Sequence, residues 1–261
     1  MAKTPHNKPA TLVMTATVQP PSGMPGSVRN DPQLRLREYL EAFRFYLTVD
    51  DALVDQIVIM ENSDADLSPF ARVAAEQGST KRLQLINTSS EYPASKGKGY
   101  GEFRMVDEGL SRLIASGAVQ MDTPMWKLTG RLKLLNIAEM LATAPAGYGF
   151  YCDLRKVPLI GERLGGNDWM ELRVFSFTPA AYDACLRGQY GKSYVLEKAF
   201  FTLLTGPEAA GGKARVVPRF RRQPRLAGVS GHSNKSYEGL GYRAKNTLRS
   251  VARVLAPRLW L

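Results

Sequence analysis

Short apolar runs alternate with amphipathic helical patterns along most of the chain, and this alternation constrains the fold most. The β-rich runs at residues 11–18 and 56–60 predict buried strands. Between them, Asp31 followed by Pro32 predicts a helix start, because aspartate caps helix N-termini and proline fits the first turn. Strands that alternate with helices form βαβ units. The sequence therefore predicts an α/β fold with a mainly parallel sheet and helices on both faces.

The remaining elements follow from the same periodicities. Strands are predicted at residues 83–86, 125–128, 149–153 and 171–177, and helices at 67–77, 102–116, 132–141, 179–187 and 193–204. A Gly/Ala-rich linker at residues 205–212 precedes a segment of different character. We therefore predict two domains, the α/β domain at residues 1–210 and a basic C-terminal tail with an amphipathic helix at residues 211–261.

The charge of the chain indicates a polyanionic partner. The 261 residues carry a formal net charge of +11, and the excess of Lys and Arg is concentrated in residues 212–258. Such a balance suits nucleic acid, an acidic membrane surface or a phosphorylated substrate. We expect no nucleic-acid partner, because the sequence contains no recognisable nucleic-acid-binding motif.

The cysteines and the N-terminus favour a cytoplasmic location. Cys152 and Cys185 are too few for a disulfide framework or a metal cluster, and two cysteines are typical of a reducing compartment. The first nine residues lack the apolar segment of a secretory signal, and no apolar run has the length of a transmembrane helix.

Two polar segments are the strongest candidates for a binding site. Residues 96–102, Lys-Gly-Lys-Gly-Tyr-Gly-Glu, predict a glycine-rich loop whose backbone can approach a ligand closely and whose lysines suit phosphate. Arg131 follows an apolar strand and a glycine. Two ordinary surface turns with solvated charges are the alternative. The spacing of the glycines matches neither a P-loop nor a dinucleotide fingerprint.

Polar side chains also follow several predicted strands. In open parallel sheets, ligands bind beyond the carboxyl ends of the strands. The candidates at these ends are Thr15, Thr17, Glu61, Asn62, Ser63, Lys96, Lys98, Gly99, Gly101, Glu102, Arg131, Asp153 and Arg155. We predict that they meet in one cleft suited to a phosphate-bearing substrate. With only His6 and His232, a zinc site centred on histidine is not expected.

Six segments follow one another along the chain in a recognisable order. They are TATVQPPSG at residues 15–23, Asp-Pro-x-Leu-Arg-x-x-x-Tyr-Leu from Asp31, IVIMENS at 57–63, GKGYGE at 97–102, LTGRLKLLN at 128–136 and ELRVFSFT at 171–178. As a set, these segments resemble a bacterial GT-A-type glycosyltransferase family of cell-surface polysaccharide biosynthesis. The similarity spans residues 11–204. It implies a GT-A-like fold, with residues 1–210 as the catalytic domain that binds a nucleotide sugar.

The resemblance implies transfer of a sugar from a nucleotide-sugar donor to a glycan or lipid-linked acceptor. The expected donor is a UDP-sugar. It places Thr15 and Thr17 in the nucleotide pocket and gives Glu61, with Asn62 beside it, a contact with the base or ribose. It directs Lys96, Lys98, Gly99 and Gly101 toward the diphosphate or the donor sugar. Arg131 would neutralise the leaving group. Tyr100 either stacks on a sugar or base or covers the loop.

Metal dependence is left open by the sequence. Most GT-A enzymes hold a divalent cation, Mn²⁺ or Mg²⁺, with an Asp-x-Asp motif, which is missing here. The nearest equivalents are Asp153-Leu-Arg155 and Glu171-Leu-Arg173. Either one carboxylate holds the cation alone, or Arg155 or Arg173 replaces it. We favour replacement, because hard cations prefer several oxygen ligands, and we name no metal ligand.

An inverting transferase needs a base near the acceptor hydroxyl. Glu102, Asp153, Glu171 and Glu197 are the candidates, with Glu102 first, although a glutamate there also suits a helix N-terminus. Glu197 lies in a helical pattern and is expected in a structural ion pair.

Residues 228–237, which include His232 and Lys235, predict a lid over the donor phosphates or a flexible linker.

The tail favours a peripheral position at the inner face of the plasma membrane. Residues 242–261 predict a helix with Leu248, Val251, Val254 and Leu255 on one side and basic residues around them. The alternative is a helix packed on its own domain with its basic face in water.

Two other functions also stay open besides a glycosyltransferase. They are a polyanion-binding module without catalysis and a nucleotidyltransferase.

Overall fold

A computed structural model describes residues 8–24, 28–89, 91–157, 167–193, 195–206, 212, 214–231 and 234–255. The strands are β1 Ala10–Ala16, β2 Val54–Glu61, β3 Arg82–Asn87, β4 Met125–Thr129, β5 Lys133–Leu134, β6 Phe150–Tyr151, β7 Leu154–Arg155, β8 Trp169–Met170, β9 Val174–Phe177, β10 Val216–Val217 and β11 Leu226–Ala227. The α-helices are α1 Pro32–Leu47, α2 Ser68–Glu76, α3 Gly97–Ala115, α4 Ile137–Ala142, α5 Pro179–Cys185, α6 Leu196–Thr205 and α7 Leu240–Leu255.

A mainly parallel sheet forms the centre of the molecule, as predicted. Its strand order is β10-β6-β9-β4-β1-β2-β3. Strand β1 runs parallel to both β2 and β4, and β2 runs parallel to β3. Strand β9 is antiparallel to its neighbours β4 and β6. The carboxyl ends of β1, β2 and β4 therefore meet at one edge, where open sheets bind their ligands.

Helices cover both faces of this sheet. Leu12 and Met14 of β1 pack in a core with α1, α2 and α4, whereas Val13 packs in a second core with α3, α5 and α6. Adjacent residues of a strand point to opposite faces, so the two cores lie on opposite sides of the sheet. The expected fold class, α/β with helices on both faces, is confirmed.

Helix α1 begins where its sequence predicts. The Asp31 carboxylate accepts hydrogen bonds from the backbone nitrogens of Gln33 and Leu34, and Pro32 occupies the first turn. These bonds satisfy amides that have no partner inside the helix.

The predicted glycine-rich loop at residues 96–102 is wrong, because these residues begin a helix. A short 3₁₀ helix at Ala94–Lys96 leads directly into α3, which starts at Gly97. A Cβ atom on Gly101 would lie 2.3 Å from the Tyr92 ring, and one on Gly99 would lie 3.1 Å from Leu196. The two glycines let these side chains pack closely on the helix, which offsets the poor helix propensity of glycine, about 1 kcal/mol per residue.

One other predicted element needs correction. The predicted helix at residues 132–141 divides into β5 and the shorter α4, because β5 pairs with β11 from the C-terminal region. Strand β10, which follows the predicted linker, pairs with β6 and belongs to the central sheet. The boundary between domains at residue 210 stays a prediction. Within the described ranges, no helix is long and apolar enough to span a membrane.

Candidate functional site

A cleft opens at the carboxyl ends of β1 and β4. Thr15 of β1 pairs in register with Thr129 of β4, and the backbone nitrogen of Gly130 donates to the Thr15 carbonyl oxygen (3.0 Å). A Cβ atom on Gly130 would lie 2.7 Å from that oxygen, so only glycine fits this junction. The chain then turns and directs Arg131 into the cleft, whose volume is about 760 Å³.

Many of the predicted site residues line this cleft. They are Thr15, Thr17, Lys96, Lys98, Gly99, Glu102, Arg131, Arg155, Glu171 and Arg173. Glu61, Asn62, Tyr100, Gly101 and Asp153 do not line it. His232 lies outside the described residues, but its neighbours Ser230 and Gly231 line the cleft.

Glu102, the first-ranked base candidate, is held by two partners. Thr15 Oγ1 donates to Glu102 Oε1 (2.7 Å), and the Lys127 ammonium forms an ion pair with the same oxygen. Lys127 is fully buried and also donates to the Leu172 carbonyl oxygen (2.8 Å). A buried ammonium without a countercharge is strongly destabilising, so Glu102 compensates the charge of Lys127.

Glu171 lies between two arginines. Arg155 Nη2 donates to Glu171 Oε2 (2.8 Å), while Arg173 Nε donates to Oε1 (2.6 Å) and its backbone nitrogen to the same oxygen (3.1 Å). Burial opposes ionisation of this carboxyl, but the charge and hydrogen bonds of Arg173, with the charge of Arg155, outweigh it. They hold the pKa of Glu171 well below its usual range. Glu171 thus orients two guanidinium groups at the cleft wall and is a poor proton acceptor.

Arg131 is fixed from two sides. Its Nη1 donates to Glu38 Oε2 (2.8 Å), and Glu38 also accepts from Arg29 Nε (2.6 Å). A Cβ atom on Gly231 would lie 2.3 Å from Arg131 Nη2, so the backbone of that loop lies against the guanidinium. Burial raises the pKa of Glu38, but its hydrogen bonds to Arg29 and Arg131 outweigh burial and lower it. These contacts set the direction of Arg131 toward the cleft.

Glu61 and Asn62 do not line the cleft but hold the elements around it through hydrogen bonds. Glu61 is fully buried and accepts from the backbone nitrogens of Val18 (3.0 Å) and Ser63 (2.7 Å). Asn62 accepts from Thr17 Oγ1 (2.6 Å) and donates to the Gly101 carbonyl oxygen (3.1 Å). These bonds join the ends of β1 and β2 to the start of α3.

Tyr100 and Asp153 face away from the cleft. Tyr100 packs between Tyr92 and Tyr190, with ring centroids 5.9 and 5.0 Å away. Asp153 is buried in an ion pair with Arg253 of α7. Asp153 thus joins the C-terminal helix to the sheet.

The cleft also contains residues to which the sequence analysis assigned no role in the site. Arg35 Nε donates to the Thr17 carbonyl oxygen (2.7 Å), and the Tyr39 hydroxyl accepts from the Thr17 backbone nitrogen (2.9 Å). Their spacing of four residues on α1 places both on one helix face, a pattern that was available in the sequence. Tyr237 lies over Arg173, with its ring centroid 5.0 Å from the guanidinium carbon. No local pattern indicates that contact.

Glu197 differs from the other cleft carboxylates. It lies in the first turn of α6 and lines the cleft beside Leu196, which packs on Gly99. No ion pair to Glu197 is present in the part of the chain that the structure describes. Burial, with smaller contributions from the charges of Glu171 and Glu102, raises the pKa of Glu197. The expected structural ion pair is therefore not found among the described side chains.

Cationic groups outnumber carboxylates in the cleft. Among the described lining residues, six are basic, namely Arg35, Lys96, Lys98, Arg131, Arg155 and Arg173, and three are acidic, namely Glu102, Glu171 and Glu197. Within the same ranges, no group of three or more His, Cys, Asp or Glu residues is placed to hold a metal ion. The arrangement is suited to an anionic ligand.

Comparison with known proteins supports the fold. No protein-family model and no curated protein sequence matches the chain. The inositol-1-phosphate CTP transferase from T. maritima aligns with a TM-score of 0.51 and 11% identity over 95% of this chain and 98% of its own. The chain therefore shares the α/β fold of that protein.

Two other solved structures align less closely. A galactosyltransferase in complex with donor and acceptor sugar analogues gives a TM-score of 0.45 and 9% identity over 91% of this chain and 95% of its own. The nucleoside-diphosphate-sugar pyrophosphorylase from Vibrio cholerae gives 0.42 and 13% over 80% of this chain and 92% of its own. These alignments are too loose to establish a shared fold.

Proposed function

We propose that the protein is a glycosyltransferase that moves a sugar from a nucleotide-sugar donor to a glycan or lipid-linked acceptor. The donor that we propose is a UDP-sugar. The observation that carries the proposal is the cationic cleft at the carboxyl ends of the parallel strands β1 and β4. A nucleoside diphosphate has the matching negative charge. The peripheral position at the cytoplasmic face of the membrane, which the sequence also predicts, is a separate proposal that does not depend on the reaction.

In this proposal the donor diphosphate lies between Arg131 and the start of α3, where Lys96 and Lys98 line the cleft. A guanidinium binds phosphate oxygens through paired hydrogen bonds, and its charge is permanent. When the bond to the sugar breaks, negative charge increases on the diphosphate. Preorganised cations then stabilise the transition state more than the ground state. Arg155 and Arg173, oriented by Glu171, extend this surface.

We assign the role of proton acceptor to Glu197 in place of Glu102, Asp153 and Glu171. Glu102 and Glu171 are bound to basic side chains, and Asp153 is buried away from the cleft. A carboxylate with a raised pKa is a stronger base, and Glu197 faces the same space as the cationic groups. Glu102 and Glu171 are then positioning residues.

A divalent cation fits this donor set poorly. Mn²⁺ and Mg²⁺ prefer several oxygen ligands. The oxygens of Glu171 are occupied by Arg155 and Arg173, and Glu102 Oε1 is shared by Lys127 and Thr15. We therefore propose no step through a metal ion and assign neutralisation of the diphosphate to the arginines and lysines.

Titration calorimetry with UDP, GDP and CMP, in the presence and absence of Mn²⁺, tests the proposed site. We expect binding of one nucleotide without metal, and Arg131→Ala should weaken it by about ten- to a hundredfold, because a charge-assisted pair of hydrogen bonds is lost. Arg82→Ala is the matched control, since Arg82 is exposed and pairs with Asp55 away from the cleft.

Arg131 also pairs with Glu38, so thermal unfolding of each variant without nucleotide must be recorded. Arg131→Lys keeps the charge and should lose less affinity than Arg131→Ala. If Arg131→Ala binds as tightly as the parent protein, Arg131 is not in the site. If the parent protein binds none of the nucleotides but binds DNA in a salt-sensitive way, the proposal fails and a polyanion-binding module is favoured.

Nucleotidyl transfer is the second candidate, because the inositol-1-phosphate CTP transferase has this fold. The two reactions have different products. A glycosyltransferase releases nucleoside diphosphate from a nucleotide sugar, whereas a nucleotidyltransferase releases pyrophosphate from a nucleoside triphosphate and a sugar phosphate. Pyrophosphate release with no nucleoside diphosphate formed from any nucleotide sugar would favour the second candidate.

A further inference from the structure

The outer face of α7 is apolar although this helix lies on the surface. Leu248, Val251 and Leu255 are 68%, 48% and 77% exposed. Their spacing of three and four residues places them on one side of the helix, and we call this set the α7 stripe. A surface helix normally turns such a stripe toward its own core. The α7 stripe is therefore an apolar face that the described part of the chain leaves exposed.

Polar contacts hold the opposite face of α7 on the domain. Arg253 is buried, pairs with Asp153, and donates to Gln223 Oε1 (2.7 Å) and to the Phe220 carbonyl oxygen (2.8 Å). Tyr242 packs edge-on against Tyr237, with ring centroids 5.1 Å apart. Rotation of the helix to bury the α7 stripe would separate the buried Arg253–Asp153 pair, at a large cost. The orientation of the stripe is thus fixed by the domain.

The charge of α7 selects the kind of partner. Arg253 is neutralised by Asp153, but the helix also contains Arg243, Lys245 and Arg249 and no acidic residue. A second copy would bring like charges together across a small apolar contact. Nucleic acid offers negative charge but no apolar layer into which the stripe can insert. An anionic membrane surface offers both, which is the combination that interfacial helices use.

We propose that α7 lies in the interface of an anionic membrane, with Leu248, Val251 and Leu255 inserted among the lipid chains. Membrane binding of this kind does not depend on sugar transfer. One extension rests on the proposed function: Tyr237 and Arg173 line the cleft, and Tyr237 contacts Tyr242 of α7. Docking of α7 would then bring the cleft close to the lipid surface, which favours a lipid-linked acceptor.

Vesicle co-sedimentation of the full chain, without nucleotide, tests the proposal. The vesicles are phosphatidylcholine alone or phosphatidylcholine mixed with phosphatidylglycerol. The variant combines Leu248→Ser, Val251→Ser and Leu255→Ser. The matched control combines Val28→Ser, Met121→Ser and Leu135→Ser, which replace apolar residues that are 62%, 44% and 46% exposed elsewhere on the surface. We expect the stripe variant to bind mixed vesicles about tenfold more weakly or worse, and the control to bind like the parent protein.

Several outcomes would overturn the proposal. These are equal sedimentation of the stripe variant and the parent protein, equal binding to vesicles with and without phosphatidylglycerol, or a dimer of the parent protein that the stripe variant abolishes. A nucleotide titration of the same proteins separates the two proposals. Loss of vesicle binding with unchanged nucleotide affinity supports the stripe, whereas vesicle binding without nucleotide binding overturns only the glycosyltransferase proposal.

Discussion

At the scale of single residues, the partners of the three cleft carboxylates separate their roles. Glu102 neutralises the buried ammonium of Lys127, and Glu171 orients Arg155 and Arg173. Glu197 is the cleft carboxylate without an ion pair in the described part of the chain. Whether a cleft carboxylate can accept a proton therefore depends on whether a basic side chain is already bound to it. Glu197 is the carboxylate best placed to accept a proton.

This assignment predicts an effect of pH on the rate. A base acts only when it is deprotonated, and burial raises the pKa of Glu197. We expect kcat to fall on the acid side, starting at a pH above the ordinary range of a glutamate. In Glu197→Gln, kcat should fall by about a hundredfold or more, and the remaining activity should lose this acid limb, with little change in the KM for the donor.

Glu76→Gln is the matched control, because Glu76 is an exposed residue at the end of α2. Its pH profile should equal that of the parent enzyme. An acid limb that persists in Glu197→Gln would assign the titration, and the proton transfer, to another group.

At the scale of elements, the cleft depends on how closely its strands and helices approach. The end of β1 touches the turn after β4 at Gly130, and α3 begins against Tyr92 and Leu196 at Gly101 and Gly99. At Gly130 the neighbour is backbone and requires glycine, whereas at Gly99 and Gly101 the neighbours are closely packed side chains. Considered alone, residues 96–102 predict a glycine-rich loop, because the packing partners of these glycines lie elsewhere in the chain.

Gly130→Ala tests this argument. The new Cβ would lie 2.7 Å from the Thr15 backbone oxygen, which belongs to the central strand and cannot move freely. We expect a loss of stability of about 2 kcal/mol in denaturant unfolding, together with weaker nucleotide binding. Gly241→Ala, in the first turn of α7 with no atom within 4 Å of the added carbon, is the control and should be neutral or slightly stabilising. Equal stability of the two variants would contradict the proposed close approach.

At the scale of the whole molecule, both cysteines lie in the core that packs α3, α5 and α6 on the sheet. Cys152 is 0% exposed and Cys185 is 4% exposed, and burial raises the pKa of the Cys152 thiol. Thiolates are the reactive form, so both groups should be inert in the folded protein.

Labelling with a thiol-specific reagent in increasing urea should therefore follow unfolding of the domain. We expect both thiols to react with the same urea midpoint as the loss of far-ultraviolet circular dichroism. Labelling of either cysteine well below that midpoint would show that this core opens locally.

The sequence by itself determined the elements whose information is local. Apolar runs and the Asp31 cap located β1, β2, α1 and the parallel βαβ order, because strand burial and helix capping depend on neighbouring residues in the chain. The same reasoning brought Thr15, Thr17, Lys96, Lys98 and Arg131 to one cleft, since the carboxyl ends of parallel strands share an edge.

Only the tertiary structure decided which of these groups are available for chemistry. The contacts of Glu61 with Val18, of Glu171 with Arg155, and of Asp153 with Arg253, 100 residues away, join parts of the chain that no local pattern relates. The outward direction of the α7 stripe is also set by a contact between distant parts of the chain. Helical periodicity groups Leu248, Val251 and Leu255 on one face, but the ion pair of Arg253 determines that this face points to solvent.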